Sequence, residues 1–438
     1  MATQPRRNLL AQANSASRRD FLKASSLAAV GGTAAYTLAI ARSAHAAGDD
    51  VLRVGLIGCG GRGSGAAADA LQADPNVKLV AMGDAFEDRL RSGLDAIRDA
   101  VGDQASRIDV PEERRFVGFD AYQKVIDCGV DVVLLTSPPH FRPMHLKAAV
   151  AAGKHVFAEK PVAVDAPGVR SVLESAAEAQ QKGLSIVSGL CWRYDAGTRE
   201  TMRRILDGEI GEIIAIQANY NTGPVWHHAR KPEWSEMEYQ LRNWCYFTWL
   251  SGDFNVEQHV HTLDKAAWAM CEEPPIRATG MGGRQVRVEP QYGNIYDHHA
   301  VCYEYANGVR LYSYCRQIAG CADSNEAYIL GAKGQAQALQ HVITGQHKWH
   351  YRGPDNNMYR AEHEELFASI RSAKPINNGL YMAHSTMMAI MGRMCTYTGQ
   401  TITWDDAMNS QEDLSPAKYE WGPLPTPKVA MPGITRFL

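Results

Sequence analysis

No C-x-x-C pair occurs anywhere in the 438 residues, and the nine cysteines are an odd number. Zinc ribbons and thioredoxin-like redox motifs are therefore unsupported, and the thiols are expected to be mostly buried and reduced. An excess of one charge is also missing. Lys and Arg number 45 against 48 Asp and Glu, a net charge of −3 that gives no hint of a nucleic-acid partner. Beyond residue 41 there is no long hydrophobic run, and no internal repeat or low-complexity linker. What is present is ordinary for a soluble globular protein, with 45% apolar and 21% charged residues, in a length suited to two domains.

The one long apolar run sits near the N-terminus. SRRDFLK at 17–23 leads into ASSLAAVGGTAAYTLAIA, and ARSAHAA follows with Ala44 and Ala46 spaced as A-x-A. A charged region, an apolar region and a small-residue cleavage site in that order make a signal peptide over 1–46. Arg18–Arg19 followed by Phe21 and Leu22 resembles the twin-arginine export signal. An uncleaved anchor is the alternative, although a run rich in Ala and Gly is a poor span. Cleavage after Ala46 would leave 39 basic and 47 acidic side chains, a net charge of −8. The expectation is an exported protein, periplasmic or otherwise extracytoplasmic, with no stable membrane insertion after cleavage.

From 51 to 190, β-rich runs alternate with amphipathic stretches of helical length. VLRVGLI (51–57), VKLVAMG (77–83), DVVLLTSPP (131–139), HVFAEKP (155–161) and LSIVSGL (184–190) read as strands. Helices are expected near 64–74, 87–101, 143–152 and 166–182. Such alternation predicts a doubly wound parallel sheet of the Rossmann type. From 191 to 400 the texture is that of an α+β domain with a mainly antiparallel sheet, helix-free over 276–340, and Asn307–Gly308 marks a hairpin. Residues 401–438 are expected to pack on the body as a tail. An exposed antiparallel sheet would make a homo-oligomer plausible.

Gly58-Cys59-Gly60-Gly61-Arg62-Gly63 follows the first strand directly and opens the first helix, the context a dinucleotide fingerprint requires. Gly58 permits the tight turn, Gly60 admits the pyrophosphate close to the backbone, and Gly63 lets helix and strand pack. Asp84 closes the second strand at the distance expected of the ribose-binding acid, which favours NAD over NADP.

Adding TSPP at 136–139 and EKP at 159–161, the order of motifs resembles the Gfo/Idh/MocA oxidoreductases over about 51–400. The resemblance implies NAD-dependent chemistry on sugars and cyclic polyols. It extends the cofactor site to Gly61, Arg62, Ser137, Pro138, His140, Glu159 and Lys160. The family's D-x-x-x-H-x-x-D signature falls on Glu257, His261 and Asp264, with glutamate replacing the first aspartate.

Read physically, Lys160 suits a cationic donor to developing alkoxide, and His261, with a reference pKa of about 6.5, suits the base. Helical spacing puts Glu257 and His261 on one face, with Asp264 one turn later. Asp264 would then orient the imidazole, while Glu257 would bind substrate hydroxyls. His259 falls on the opposite side and reads as structural. H-x-H on a helix does not present two ligands together, so no metal is expected. Arg193 and Tyr194 either contact sugar hydroxyls or form a structural pair. The WHH at 226–228 and NWCYFTW at 243–249 are either a stacking wall for sugar or a buried aromatic cluster.

Three functions stay open: a sugar or polyol oxidoreductase with tightly bound NAD, a glycosidase that oxidises C3 transiently and eliminates the aglycone, and a non-catalytic NAD-bound carbohydrate-binding protein.

Overall fold

The β-rich runs of the first half assemble as expected. A computed structural model describes residues 50–438, and the signal peptide read over 1–46 lies outside the described residues. Six strands form one parallel sheet: β1 (Leu52–Ile57), β2 (Val77–Asp84), β3 (Arg115–Val117), β4 (Val132–Leu135), β5 (His155–Ala158) and β6 (Ile186–Ser188). Their order is β3-β2-β1-β4-β5-β6. The sequence reading missed β3, which has three residues and no apolar alternation. Helices α1 (Gly61–Ala73), α2 (Glu87–Val101), α3 (Ala121–Asp127), α4 (Arg142–Ala151) and α5 (Ala166–Gln181) make the crossovers. Because β1 and β4 are neighbours, the strand order reverses between them. A cleft opens there at the carboxyl ends of the strands, where ligands bind in doubly wound sheets. The turns after β1, β4 and β5 carry the glycine fingerprint, Ser137–Pro138 and Glu159–Lys160 to that edge.

The second sheet has nine strands. They are β7 (Ile213–Thr222), β8 (Arg277–Gly283), β9 (His298–Glu304), β10 (Arg310–Gln317), β11 (Ser324–Gly331), β12 (Gly334–Gln337), β13 (Val342–Gly345), β14 (Trp349–His350) and β15 (Ile402–Thr403). All pairings are antiparallel except β7 with β10. The β9–β10 hairpin turns at the predicted place, with Gly308 at φ +86°. Helices α6 (Ala196–Leu206), α7 (Glu236–Arg242), α8 (Thr248–Ser251), α9 (Phe254–Glu257), α10 (Val260–Ala269), α11 (Met358–Arg371), α12 (Gly379–Thr398) and α13 (Trp404–Asn409) complete the described elements. Among the described residues no helix is long and apolar enough to cross a membrane.

Three features depart from the sequence reading. First, α11 packs back on α1, and its Leu366, Phe367 and Ile370 share a core with Leu56 and Ala67. The boundary drawn at 190 therefore does not divide the packing. Second, residues 402–409, within the segment expected to pack on the body as a tail, form β15 and α13, two elements the sequence reading did not name. Third, residues 257–264 are not one helix. Gln258 and His259 form a turn between α9 and α10. Consecutive helical positions point about 100° apart. Here both side chains bond to β10, Gln258 with Gln317 and His259 Nε2 with Ser313 Oγ at 2.6 Å.

Candidate active site

The glycine turn is constrained by backbone rather than by side chains. Gly58 has φ +97°, and a Cβ there would lie 2.5 Å from the Ser137 amide nitrogen. A Cβ on Gly63 would meet the Gly58 carbonyl oxygen at 1.9 Å. Both closures are also tied by Thr136, whose Oγ1 donates to the Gly58 oxygen at 2.6 Å. Gly60 and Gly61 differ, since a Cβ on either would meet nothing within 4 Å. They face a cavity of about 490 Å³, also lined by Arg62, Asp84, Ser137 and Pro138. An open backbone cradle at the N-terminus of α1 fits the pyrophosphate of a dinucleotide. Asp84 accepts from the amides of Cys59 at 2.6 Å and Phe86 at 2.9 Å, one on each carboxylate oxygen. A carboxylate has about four acceptor positions, so it retains capacity for ribose hydroxyls.

The far wall of this cavity was not legible as such. Phe86, Phe119, Tyr122 and His145 come from the βα turns and helices of the first sheet. Trp226, His228, Arg242 and Trp244 arrive from the segment between β7 and α8. The aromatic stretch therefore lines the nucleotide cavity, while its remainder, including Tyr246, Phe247 and Trp249, forms a buried cluster.

Beside the cradle lies a charged group of side chains. Lys160 Nζ donates to the Glu257 carbonyl oxygen at 2.7 Å and to its Oε1 at 3.0 Å. Burial lowers the ammonium pKa, but Glu257 and Glu159 together outweigh it, so the group stays charged. Glu159 binds Arg62 Nε through Oε1 at 2.5 Å and the Lys160 amide through Oε2 at 3.0 Å. His261 is partly exposed, with Nδ1 buried and without a partner. Burial, then the charges of Lys160, Lys265 and Arg62, push its pKa well below the usual range. The imidazole is therefore neutral.

Asp264 does not orient that imidazole. It is 1% exposed, accepts three bonds from Arg193 at 2.8–3.0 Å, and takes a fourth from Ser385 Oγ at 2.8 Å. Arg193 also pairs with Glu272 at 2.8 Å and lies over the Tyr381 and Trp268 rings. Its Nε and Nη2 are engaged by these carboxylates, and Arg193 is not among the residues that line the cavity. Tyr194 likewise donates to Asn378 Oδ1 at 2.8 Å. His140 is outside the cavity lining: its Nε2 meets the Tyr419 hydroxyl at 2.8 Å and its ring packs edge-on to Trp249. Polar residues at strand ends and helix starts carry ligand contacts and buried ion pairs alike, and sequence spacing does not separate the two. His259 bonds Ser313 deep in the core, in keeping with a structural position. Among the described residues no three His, Cys, Asp or Glu side chains converge as a metal would need.

Comparison with known proteins follows the same lines. Residues 52–186 match the family described as oxidoreductase family, NAD-binding Rossmann fold, and residues 198–337 match the GFO/IDH/MocA C-terminal domain. Inositol 2-dehydrogenase of Rhizobium meliloti (strain 1021) is 26% identical over 51% of this chain and 56% of its own length. The 2,7-anhydro-N-acetylneuraminate hydratase of Escherichia coli (strain K12) is 25% identical over 42% of this chain and 44% of its own. The match thus spans about half the length of these curated relatives. Among solved structures, aldose-aldose oxidoreductase from Caulobacter crescentus, complexed with glycerol, superposes with a TM-score of 0.59 at 17% identity, covering 81% of this chain and 99% of that one. GenD2 from gentamicin A biosynthesis, in complex with NAD, gives 0.60 at 18% identity over 83% and 98%. These likenesses carry the fold, and the two matched domains carry the family. With its glycine cradle, its strand-end lysine and both matched domains, the chain belongs to the Gfo/Idh/MocA oxidoreductases.

Proposed function

We propose that this protein is an NAD-dependent oxidoreductase acting on a secondary hydroxyl of a sugar, glycoside or cyclic polyol, with its cofactor held through turnover. The observation that carries this reading is the pairing of a charged lysine with a neutral histidine beside the dinucleotide cradle. Bound NAD supplies the hydride acceptor. Lys160 has three donor protons. Two are engaged by Glu257, which leaves one for the substrate oxygen. His261 takes the hydroxyl proton, and the lysine charge stabilises the alkoxide as it develops. The second oxygen of Glu257 is available to a neighbouring hydroxyl, which suits a polyhydroxylated ring. Similarity to inositol 2-dehydrogenase supports this substrate class.

A second reading is redox-neutral glycoside cleavage. Oxidation at C3 acidifies the neighbouring C–H, elimination expels the aglycone, and water addition and re-reduction follow. Similarity to a hydratase favours it. We also propose export by the twin-arginine route, on the residues SRRDFLK, which would let a folded protein carry its dinucleotide with it. Self-association through the second sheet is proposed on the exposed side chains Met281, Tyr312, Tyr314 and Leu330.

The test is direct. Purified protein is denatured and its supernatant analysed by mass spectrometry for NAD, and native protein is then offered inositols, aldoses and glycosides in D₂O. Accumulation of a keto-sugar with reduced nicotinamide supports net oxidation. Deuterium at C2 of a cleaved product supports the second reading. Absence of dinucleotide, with no binding of added NAD, overturns both.

A further inference from the structure

Residues 411–438 contain no helix or strand, yet they are fastened along their length. An oxygen of Leu438 accepts from the Gln411 amide at 3.2 Å and from Ser410 Oγ, so the segment leaves the body and returns to the same point. On the way it crosses the nucleotide side of the protein. Leu414 N donates to Asp165 at 3.0 Å, and Tyr419 meets His140. Met237 N donates to the Gly422 oxygen at 3.1 Å, and Gln240 Nε2 to the Leu424 oxygen at 2.8 Å. The segment therefore bridges the first sheet's turns to α7, the helix that brings Arg242 to the cavity.

Between those anchors the Trp421 ring lies 4.7 Å from Phe119 and 5.3 Å from Phe86. Both phenylalanines line the cavity just beyond Asp84, on the adenosine side. Phe86 is covered from a second direction by the Arg242 guanidinium at 4.1 Å, which is itself bidentate to Asp88. A wall that would otherwise be an exposed βα turn is thus backed by two elements 156 and 335 residues further along the chain.

We propose that residues 411–438 are a strap that holds the adenosine wall closed and retains the dinucleotide, with Trp421 as the positioning residue that acts through Phe86 and Phe119. The proposal rests on the reading of the cavity as the NAD site and deepens it. A closed wall slows escape of the bound nucleotide without touching the reacting atoms. It also gives the tightly held cofactor a physical cause.

The experiment measures exchange of radiolabelled NAD from loaded protein, well below the unfolding temperature of every variant. Two aromatic contacts are worth about tenfold in release rate. Trp421→Ala is expected to speed release about tenfold, and Trp421→Phe to restore most of the retention, which loss of stability alone would not do. Tyr419→Ala removes a different contact of the same strap and keeps the test alive if Trp421→Ala folds poorly. Release within about twofold of the parent protein in both alanine variants overturns the strap while leaving the NAD site intact. A parent protein that neither carries nor binds NAD overturns the site and the strap together.

Discussion

Replacing Asp264 by alanine separates a structural ion pair from a catalytic one. In the folded protein the carboxylate is buried and takes three bonds from Arg193 and one from Ser385. Without it the guanidinium, 9% exposed, keeps only Glu272 as a charged partner. Breaking a buried pair by deleting one member costs about 3–5 kcal/mol, because the remaining charge is left uncompensated. That is a large share of the ~5–15 kcal/mol that stabilises a typical fold. Asp264→Asn, which keeps an acceptor oxygen and the volume, should lose about 1–3 kcal/mol. Urea unfolding followed by tryptophan fluorescence reads both losses, and turnover against pH is measured on protein that remains folded. The expected outcome is a lowered unfolding midpoint with the acid limb of the pH profile in place. An unchanged midpoint with a shifted acid limb and collapsed turnover would refute the assignment and return Asp264 to the imidazole.

Other perturbations read other parts of the site. Lys160→Ala should lower the rate of nicotinamide reduction about 10²–10³-fold, as loss of one charge-stabilising donor does, while dinucleotide occupancy by mass spectrometry stays at the parent level. Turnover equal to the parent would remove Lys160 from the chemistry. Gly63→Ala places a methyl 1.9 Å from the Gly58 oxygen, so the turn must shift and NAD affinity by titration should fall more than tenfold. His145, His259 and His363 are buried, and burial above all lowers each to about 3. Unfolded histidine titrates at about 6.5, so between those values the unfolded chain binds more protons and stability falls as pH is lowered. Each should cost about 2 kcal/mol at pH 5 relative to pH 7. Equal urea midpoints at the two pH values would contradict this.

What was legible in the sequence was local. Gly58, Gly63 and Asp84 are dictated by a turn, a close approach and a strand end within one βαβ unit, so their spacing is enough to find them. Strands β1, β2, β4 and β5 announce themselves as apolar runs, whereas β3 is partly exposed and carries an arginine. Contacts across long separations were not legible. Arg193 and Asp264 lie 71 positions apart, and nothing local distinguishes a guanidinium aimed at a sugar from one aimed at a buried carboxylate. At the break, Gln258 and His259 bond to Gln317 and Ser313, more than fifty residues on, partners that no local pattern names. Trp226 and Trp244 carry no signal that they face the dinucleotide cavity rather than a sugar. The parallel β7–β10 pairing was hidden for the same reason, since it is made by a crossover and not by a turn.

At the centre of the proposed function stands a hydride passing from a carbinol carbon to nicotinamide, with Lys160 and His261 assigned to the oxygen and its proton. A single turnover with a polyol deuterated at its carbinol carbons, followed by denaturation and mass measurement of the bound dinucleotide, tests that step directly. A dinucleotide heavier by one deuterium, formed by the parent protein and largely lost in Lys160→Ala, is the predicted result. Conversion of the polyol with no deuterium on the dinucleotide would contradict it.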